Sequence, residues 1–507
     1  MGATFRASMT WLHSWAGVVL GGLLFAIFWT GTLAVFDYEI DRWMAPTTRL
    51  ELPAKPASLE TLRPFYEAAV AAKASNWFVV PPTERTPVFL IGWRHPSGSI
   101  IRLAHPETGA PLADPGTLAG SRFIYPFHYM LHIEPRQIGR WIVGLAAMAM
   151  LALLVSGVVV HRKVFADFFT FRAAAKPRRQ ILDLHNVTGV VALPFHIAIT
   201  LSGLIFFYST YFPSAWRVVF PDVQALYVDA LGFYERQASN RPGALASLDD
   251  MAAKARHLWG RGEPRYLVVF NSGDAAAYVL FARSGEDSVE GTDDAAYFDA
   301  ASGALLHQHS AGRPVLTAQR FIAGLHAIQF RHWTLRWLYF GLGLVSCVMI
   351  ATGYLFWLES RRKKHAQLRL GGVRLVEGLT VGSVTGIVIA TFSFFVVNRL
   401  LPLGTTFAGQ DRAALEVWTF CLAWTAAFAH AWLRPDEAWM EQCAAIAMLA
   451  AAAVALNWLT TGDHLLHSLG HRHLWPVAGM DLLLLAGSAI AAVAAFRLHR
   501  RVRKMPS

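Results

Sequence analysis

Eight stretches of this chain, at approximately 11–36, 139–161, 186–212, 334–358, 376–400, 413–433, 442–460 and 476–497, are long and apolar enough to cross a bilayer, and nothing else constrains its fold as strongly. Crossing the hydrocarbon takes about 20 mostly apolar residues. With 54% hydrophobic and 16% charged residues among 507, the composition is too apolar for a soluble multidomain protein. It reads as a polytopic α-helical membrane protein with about eight transmembrane helices. The first stretch runs too long for a secretory signal and lacks a small-residue cleavage site, so it reads as a retained span.

Basic residues give the orientation. Arg162, Lys163, Arg172, Lys176, Arg178 and Arg179 fill the second-to-third connection, and Arg361, Arg362, Lys363, Lys364 and Arg369 the fourth-to-fifth. Arg497, Arg500, Arg501, Arg503 and Lys504 crowd the tail. Eight spans place all three groups on one side, which the positive-inside rule makes cytoplasmic, with both termini on that side. The net charge of +11 follows largely from this bias, so no nucleic-acid partner is expected. Cys347, Cys421 and Cys443 fall in or at the edge of apolar spans, which implies no disulfide framework. Without a C-x-x-C-H motif, covalent c-type haem is not expected either.

The first four spans contain a duplication. Leu12-His13-Ser14-Trp15-Ala16-Gly17-Val18-Val19 returns 172 residues later as Leu184-His185-Asn186-Val187-Thr188-Gly189-Val190-Val191. Leu131-His132, Arg140-Trp141 and Ser156-Gly157 are echoed by Leu325-His326, Arg336-Trp337 and Thr352-Gly353. The expected order is a span in 1–37, an outer domain at 38–138, a span at 139–161, a cytoplasmic loop at 162–185 and a span at 186–212. A second outer domain at 213–333, a span at 334–358, a loop at 359–375 and a four-span extension at 376–507 follow. Each polar segment has one plan: a Ser-initiated helix (Ser58-Leu59-Glu60, Ser247-Leu248-Asp249), strand-like runs, then a glycine turn at Gly109 or Gly303.

Leu12-His13 with Thr30-Gly31-Thr32-Leu33-Ala34-Val35-Phe36, the run from Ser156 to Lys163, and Leu193-Pro194-Phe195-His196 carry a resemblance, extended by Arg336-Trp337-Leu338-Tyr339-Phe340 with Ala351-Thr352-Gly353. Over roughly residues 1 to 360 the chain resembles the PepSY-associated transmembrane family, in its iron-uptake branch of ferrioxamine reductase-type, ferric-siderophore reductases. The resemblance implies a bacterial inner-membrane protein with two small α+β PepSY-like periplasmic domains. It also implies haem-mediated delivery of electrons to periplasmic ferric siderophores or other ferric chelates.

A polar side chain in a bilayer usually faces a partner, a cavity or a cofactor. Haem iron takes imidazole nitrogen, and two helices offering one histidine each suffice. His13, His161 and His185 stand at the cytoplasmic ends of spans, and His161 corresponds to Trp357 in the second half. His196 follows His185 by eleven residues, which on a straight helix is the same face about 16 Å deeper. It is either a ligand or a histidine bonded to a neighbouring hydroxyl or carbonyl. His132 and His326 form the expected pair for an outer haem, with His128, one turn earlier, as a substitute. The candidate set thus suits two b-type haems. His464, His467 and His471 can share a helix face and bind a transition metal, or simply be solvated.

No G-x-G-x-x-G follows a strand, and no soluble cytoplasmic segment is large enough for a flavin or NAD site, so a quinol or a separate protein must be the electron donor. No residue is singled out as catalytic. Two other classes compete: an iron or siderophore transporter or permease without a redox role, and a membrane-anchored PepSY module that binds proteins or regulates a peptidase.

Overall fold

A computed structural model describes residues 4–55, 58–95, 98–161, 170–226, 228, 232–260, 262–310, 314–368 and 371–502. Arg162, Lys163, Arg369, Arg503 and Lys504 of the basic clusters lie outside the described residues. The chain divides into two compact units, one of residues 1–46, 115–204 and 334–507, the other of 47–114 and 205–333.

The first unit is helical: α1 (Phe5–Ala34), α2 (Asp37–Met44), α3 (Tyr125–Met130), α4 (Ile138–Val160), α5 (Pro177–Val191), α6 (Leu193–Phe206), α7 (Trp333–Gln367), α8 (Gly372–Leu400), α9 (Arg412–Leu433), α10 (Ala438–Thr461) and α11 (Trp475–Val502). Among the described residues six helices are long and apolar enough to cross a membrane, or seven if α5 and α6 form one broken span. The expected sixth span, α9, has the length but falls outside that set. Arg412, Glu416 and His430 dilute its apolar character.

The expected third span is not straight. α5 and α6 meet at a 62° bend. Pro194 lacks an N–H and its ring crowds the preceding turn, so the helical ladder breaks at Ala192. The straight-helix relation between His185 and His196 therefore does not hold.

α8 is the most enclosed span and carries small residues toward α9. A Cβ on Gly378 or Gly382 would come within 2.1 Å of the Trp432 or Phe428 ring. Close helix approach through small residues is what drives packing in lipid. Trp424 Nε1 donates to the Gly382 carbonyl at 2.9 Å. α8 also joins α1, where Trp29 Nε1 donates to Thr391 Oγ1 at 3.0 Å. The buried acids of the late helices, Glu416 and Asp481, are both partnered: Asp481 accepts from Trp43 at 2.8 Å and Asn457 at 3.3 Å. Glu416 accepts from Thr117 and from Asn398.

Arg336 is 1% exposed and pairs with Glu39 through two contacts, NH1 to Oε1 at 3.2 Å and NH2 to Oε2 at 2.9 Å. It also donates to the Val35 carbonyl at 2.6 Å and lies over the Phe36 ring.

The second unit holds one antiparallel sheet in the order β4-β3-β2-β1-β5-β6-β7-β8. Its strands are β1 (Asn76–Val80), β2 (Phe89–His95), β3 (Gly98–Ala104), β4 (Pro111–Leu112), β5 (Pro264–Phe270), β6 (Tyr278–Arg283), β7 (Ala295–Asp299) and β8 (Leu305–His309). The two polar segments thus share a sheet, joined where β1 pairs β5 with Trp77 opposite Val269. Trp77, Val79, Leu267, Val269, Val279 and Phe281 alternate toward one face, against Leu62, Tyr66, Met251 and Ala255 of the helices Arg63–Ala71 and Leu248–Trp259 and the turn before the first. Each half caps the other: Asp249 Oδ1 accepts from Leu59 N at 2.7 Å, and Glu60 Oε1 accepts from Leu248 N at 2.7 Å.

Removing one partner of the Glu39–Arg336 pair strands a buried charge, which typically costs about 3–5 kcal/mol. Glu39→Ala should therefore lower the unfolding midpoint of the full chain in detergent sharply. The double variant Glu39→Met/Arg336→Met should recover much of the loss, and equal midpoints for wild type and Glu39→Ala would refute the assignment.

Candidate functional site

Helices α1, α4, α5 and α7 enclose a cavity of about 290 Å³ lined by His13, His161 and His185 together with glycines, methionines and leucines from all four. The duplicated sequence explains its construction. His13 Nδ1 lies 3.0 Å from the Leu153 carbonyl of α4, and His185 Nδ1 lies 2.8 Å from the Met349 carbonyl of α7. A carbonyl can only accept, so in each neutral ring the proton sits on Nδ1 and Nε2 keeps its lone pair.

Four residues beyond each acceptor, one helical turn, stands a glycine. A Cβ on Gly157 would lie 3.1 Å from His13 Cε1, and one on Gly353 would lie 3.2 Å from His185 Cε1. The glycines make the room in which each imidazole reaches the backbone of the facing helix. Ser156 adds a contact, its Oγ 3.1 Å from His13 Nδ1. The sequence shows the Ser-Gly and Thr-Gly echoes but not their purpose.

The two rings are 6.3 Å apart between centres, with planes inclined at 72°. An imidazole nitrogen binds a metal at about 2 Å, so rings on opposite sides of one ion have centres about 6 Å apart. The donor set, the glycine cradles and an orphan nitrogen fit a planar iron chelate: His161 Nε2 is buried among the cavity residues and has no hydrogen-bond partner among the described residues. His161 closes the C-terminal end of α4, where the repeat places Trp357 on α7.

The remaining candidates separate. His196 is fully buried, its Nε2 2.9 Å from Ser346 Oγ. Ser346 Oγ gives its own proton to the Leu342 carbonyl at 2.8 Å, so His196 donates from Nε2. The hydroxyl bond accounts for Nε2 and leaves Nδ1 buried without a partner among the described residues. His132 is exposed, in a left-handed backbone turn at φ 55°, with its ring edge-on to Phe123.

His128 instead repeats the cavity's pattern. Its Nδ1 lies 2.8 Å from the Ile27 carbonyl, and a Cβ on Gly31, four residues later, would come within 2.6 Å of its Cε1. The signal was in the sequence: Arg122-Phe123-Ile124 precedes His128 as Arg320-Phe321-Ile322 precedes His326. Leu-His alone matches His132 with His326, and the Arg-Phe-Ile echo matches His128 with it, so the two signals select different registers of this repeat. In the second unit His326 lies on the helix Pro314–Ala327, its ring 6.4 Å from Phe206.

His464, His467 and His471 gather near the short helix Leu465–Gly470, with His467 and His471 rings 4.5 Å apart. His464 Nδ1 accepts from His467 N, and His471 Nδ1 faces the His467 carbonyl at 2.9 Å. Among the described residues no three His, Cys, Asp or Glu side chains converge as a metal ion requires.

The model of the PepSY-associated TM region matches residues 10–360. An uncharacterized protein of Pseudomonas aeruginosa is 29% identical over 377 residues, which covers 69% of this chain and 89% of that protein.

The geometry fixes a tautomer. Nitrogen-15 spectra of histidine-labelled protein, prepared without added metal or porphyrin, should show His13 and His185 protonated at Nδ1. Gly353→Val should abolish that signature for His185 while leaving His13 unchanged. Nε2-protonated rings at both positions would contradict the arrangement.

Proposed function

From a chain that belongs to the PepSY-associated transmembrane family, we propose a bacterial inner-membrane protein that holds b-type haem and passes electrons outward to ferric chelates. Its cytoplasmic side carries both termini and the basic clusters, with α9 counted as a span, and the sheet unit is periplasmic. The observation that carries the reading is the pair of imidazoles, His13 and His185, each fixed by a backbone carbonyl and each offering Nε2 to one cavity.

Haem, when bound, supplies one-electron chemistry at a potential tuned by ligand identity, burial and neighbouring bonds. The chain's own residues do the rest. His13 and His185 would hold the haem through Nε2, and the Leu153 and Met349 carbonyls orient the rings and raise their basicity as outer partners of metal ligands do. Leu24, Met150, Leu154 and Met349 line the cavity with apolar atoms. His128, held to Ile27 in the same manner, is the first unit's candidate toward the outer face.

The substrate is a ferric siderophore or another ferric chelate. Adding one electron turns Fe(III) into Fe(II), which hard oxygen donors hold far less strongly, and the metal is freed for uptake. The donor is a quinol or a separate redox protein on the inner side. A transporter would need uncommitted acidic groups in its spans for ion coupling, whereas Glu39, Glu416 and Asp481 are all tied into hydrogen bonds or ion pairs.

Protein purified from haem-replete cells should show a Soret band and, with dithionite, the narrow reduced bands of low-spin b-type haem. His13→Ala and His185→Ala should each remove one haem's worth of absorbance, whereas His132→Ala should leave the spectrum unchanged. A colourless wild-type preparation would reject the reading in favour of transport or anchoring.

A further inference from the structure

The cavity between α1, α4, α5 and α7 is polar at one end. Thr10, His161 and Arg361 lie there, and Leu24, Met150 and Met349 lie toward the other. Thr10 and Leu24 share α1 and are about 21 Å apart along it at 1.5 Å per residue. A ligand that fills this space is therefore elongated and amphipathic.

Its charge can be read from the lining. Among the described residues no Asp or Glu contributes to the wall, and Arg361 is its one permanently charged residue. The Arg361 guanidinium lies over the Trp357 ring at 4.4 Å, and Trp357 meets Trp15 edge-on at 6.2 Å. Among the described residues Arg361 has no carboxylate partner, whereas the next residue, Arg362, is paired with Glu377 at 2.7 Å. His161 adds a buried Nε2 that nothing among the described residues satisfies. The His161 nitrogen is costly because it is buried, and an anion at that end of the cavity would satisfy it while pairing with the half-buried Arg361 guanidinium.

We infer that the cavity's ligand presents carboxylates at its polar edge, and that Arg361 and His161 receive them. The inference rests on the haem reading and adds to it: the chain selects a porphyrin with free propionates, oriented with those propionates toward the ends of α4 and α7. Arg361 and His161 are positioning residues, distinct from the iron-binding imidazoles. A guanidinium stacked on an indole keeps its in-plane N–H donors free for a carboxylate.

The test is a titration of haem-depleted full-length protein in one detergent, followed at the Soret band, with haemin and with haemin dimethyl ester. Wild type should prefer the free acid over the ester by about tenfold or more. Arg361→Gln should lose most of that preference while keeping the low-spin spectrum set by His13 and His185. Comparing the acid-to-ester ratio between proteins cancels any partition of the ester into detergent. If Arg361→Gln does not fold, Arg361→Lys and His161→Gln supply the same comparison, with partial retention expected for lysine.

An acid-to-ester ratio unchanged by all folded variants would overturn the inference and leave the haem reading standing. Binding of neither porphyrin by wild type would overturn both. Equal affinity of wild type for the two porphyrins would overturn the carboxylate assignment alone.

Discussion

A ring N–H buried among membrane helices must find an acceptor within the protein, and here it finds a backbone carbonyl on the facing helix. His13 reaches Leu153 and His185 reaches Met349, and the same step occurs between His128 and Ile27. Each bond needs a glycine one turn beyond the acceptor, because any Cβ there would press on the ring. The interaction sets the spacing of α1 against α4 and of α5 against α7, defines the cavity between them, and leaves Nε2 free. Removing the bond would loosen the helix pair and the tautomer together.

Around that core the fold is conservative with charge. The Glu39–Arg336 pair, the Asp481 bonds to Trp43 and Asn457, and the Glu416 contacts all satisfy polar groups inside the first unit. The C-terminal helices α8 to α11 belong to this unit and pack on α1 and α2 through aromatic and small residues. Arg361 stands apart from this economy, a cation left facing a cavity. The contrast gives it a functional reading rather than a structural one.

Much of this was legible in the sequence. The echoed Leu-His of the first and third spans identified His13 and His185, and the Ser-Gly and Thr-Gly echoes marked the glycines that cradle them. Pro194 accounts for the bend at Ala192 that a straight-helix reading of 186–212 misses, and its consequence for His196 needs three-dimensional packing against Ser346. His132 and His128 could be told apart only by weighing a three-residue echo, Arg-Phe-Ile, above a two-residue one. The β1–β5 pairing was not legible, because strands about 190 residues apart carry no local signal of their register. α9 read as a span by length, while its buried Arg412 and Glu416 become intelligible only beside Asn398 and Thr117.

The inclination of the two rings offers the most direct measurement. With the His13 and His185 planes inclined at 72°, the oxidised protein should give the strongly anisotropic low-spin ferric resonance of two steeply crossed imidazole ligands in low-temperature electron paramagnetic resonance. That signal should vanish in His185→Ala. An oxidised, haem-loaded protein with only high-spin iron, or with the rhombic signal of near-parallel rings, would contradict the account.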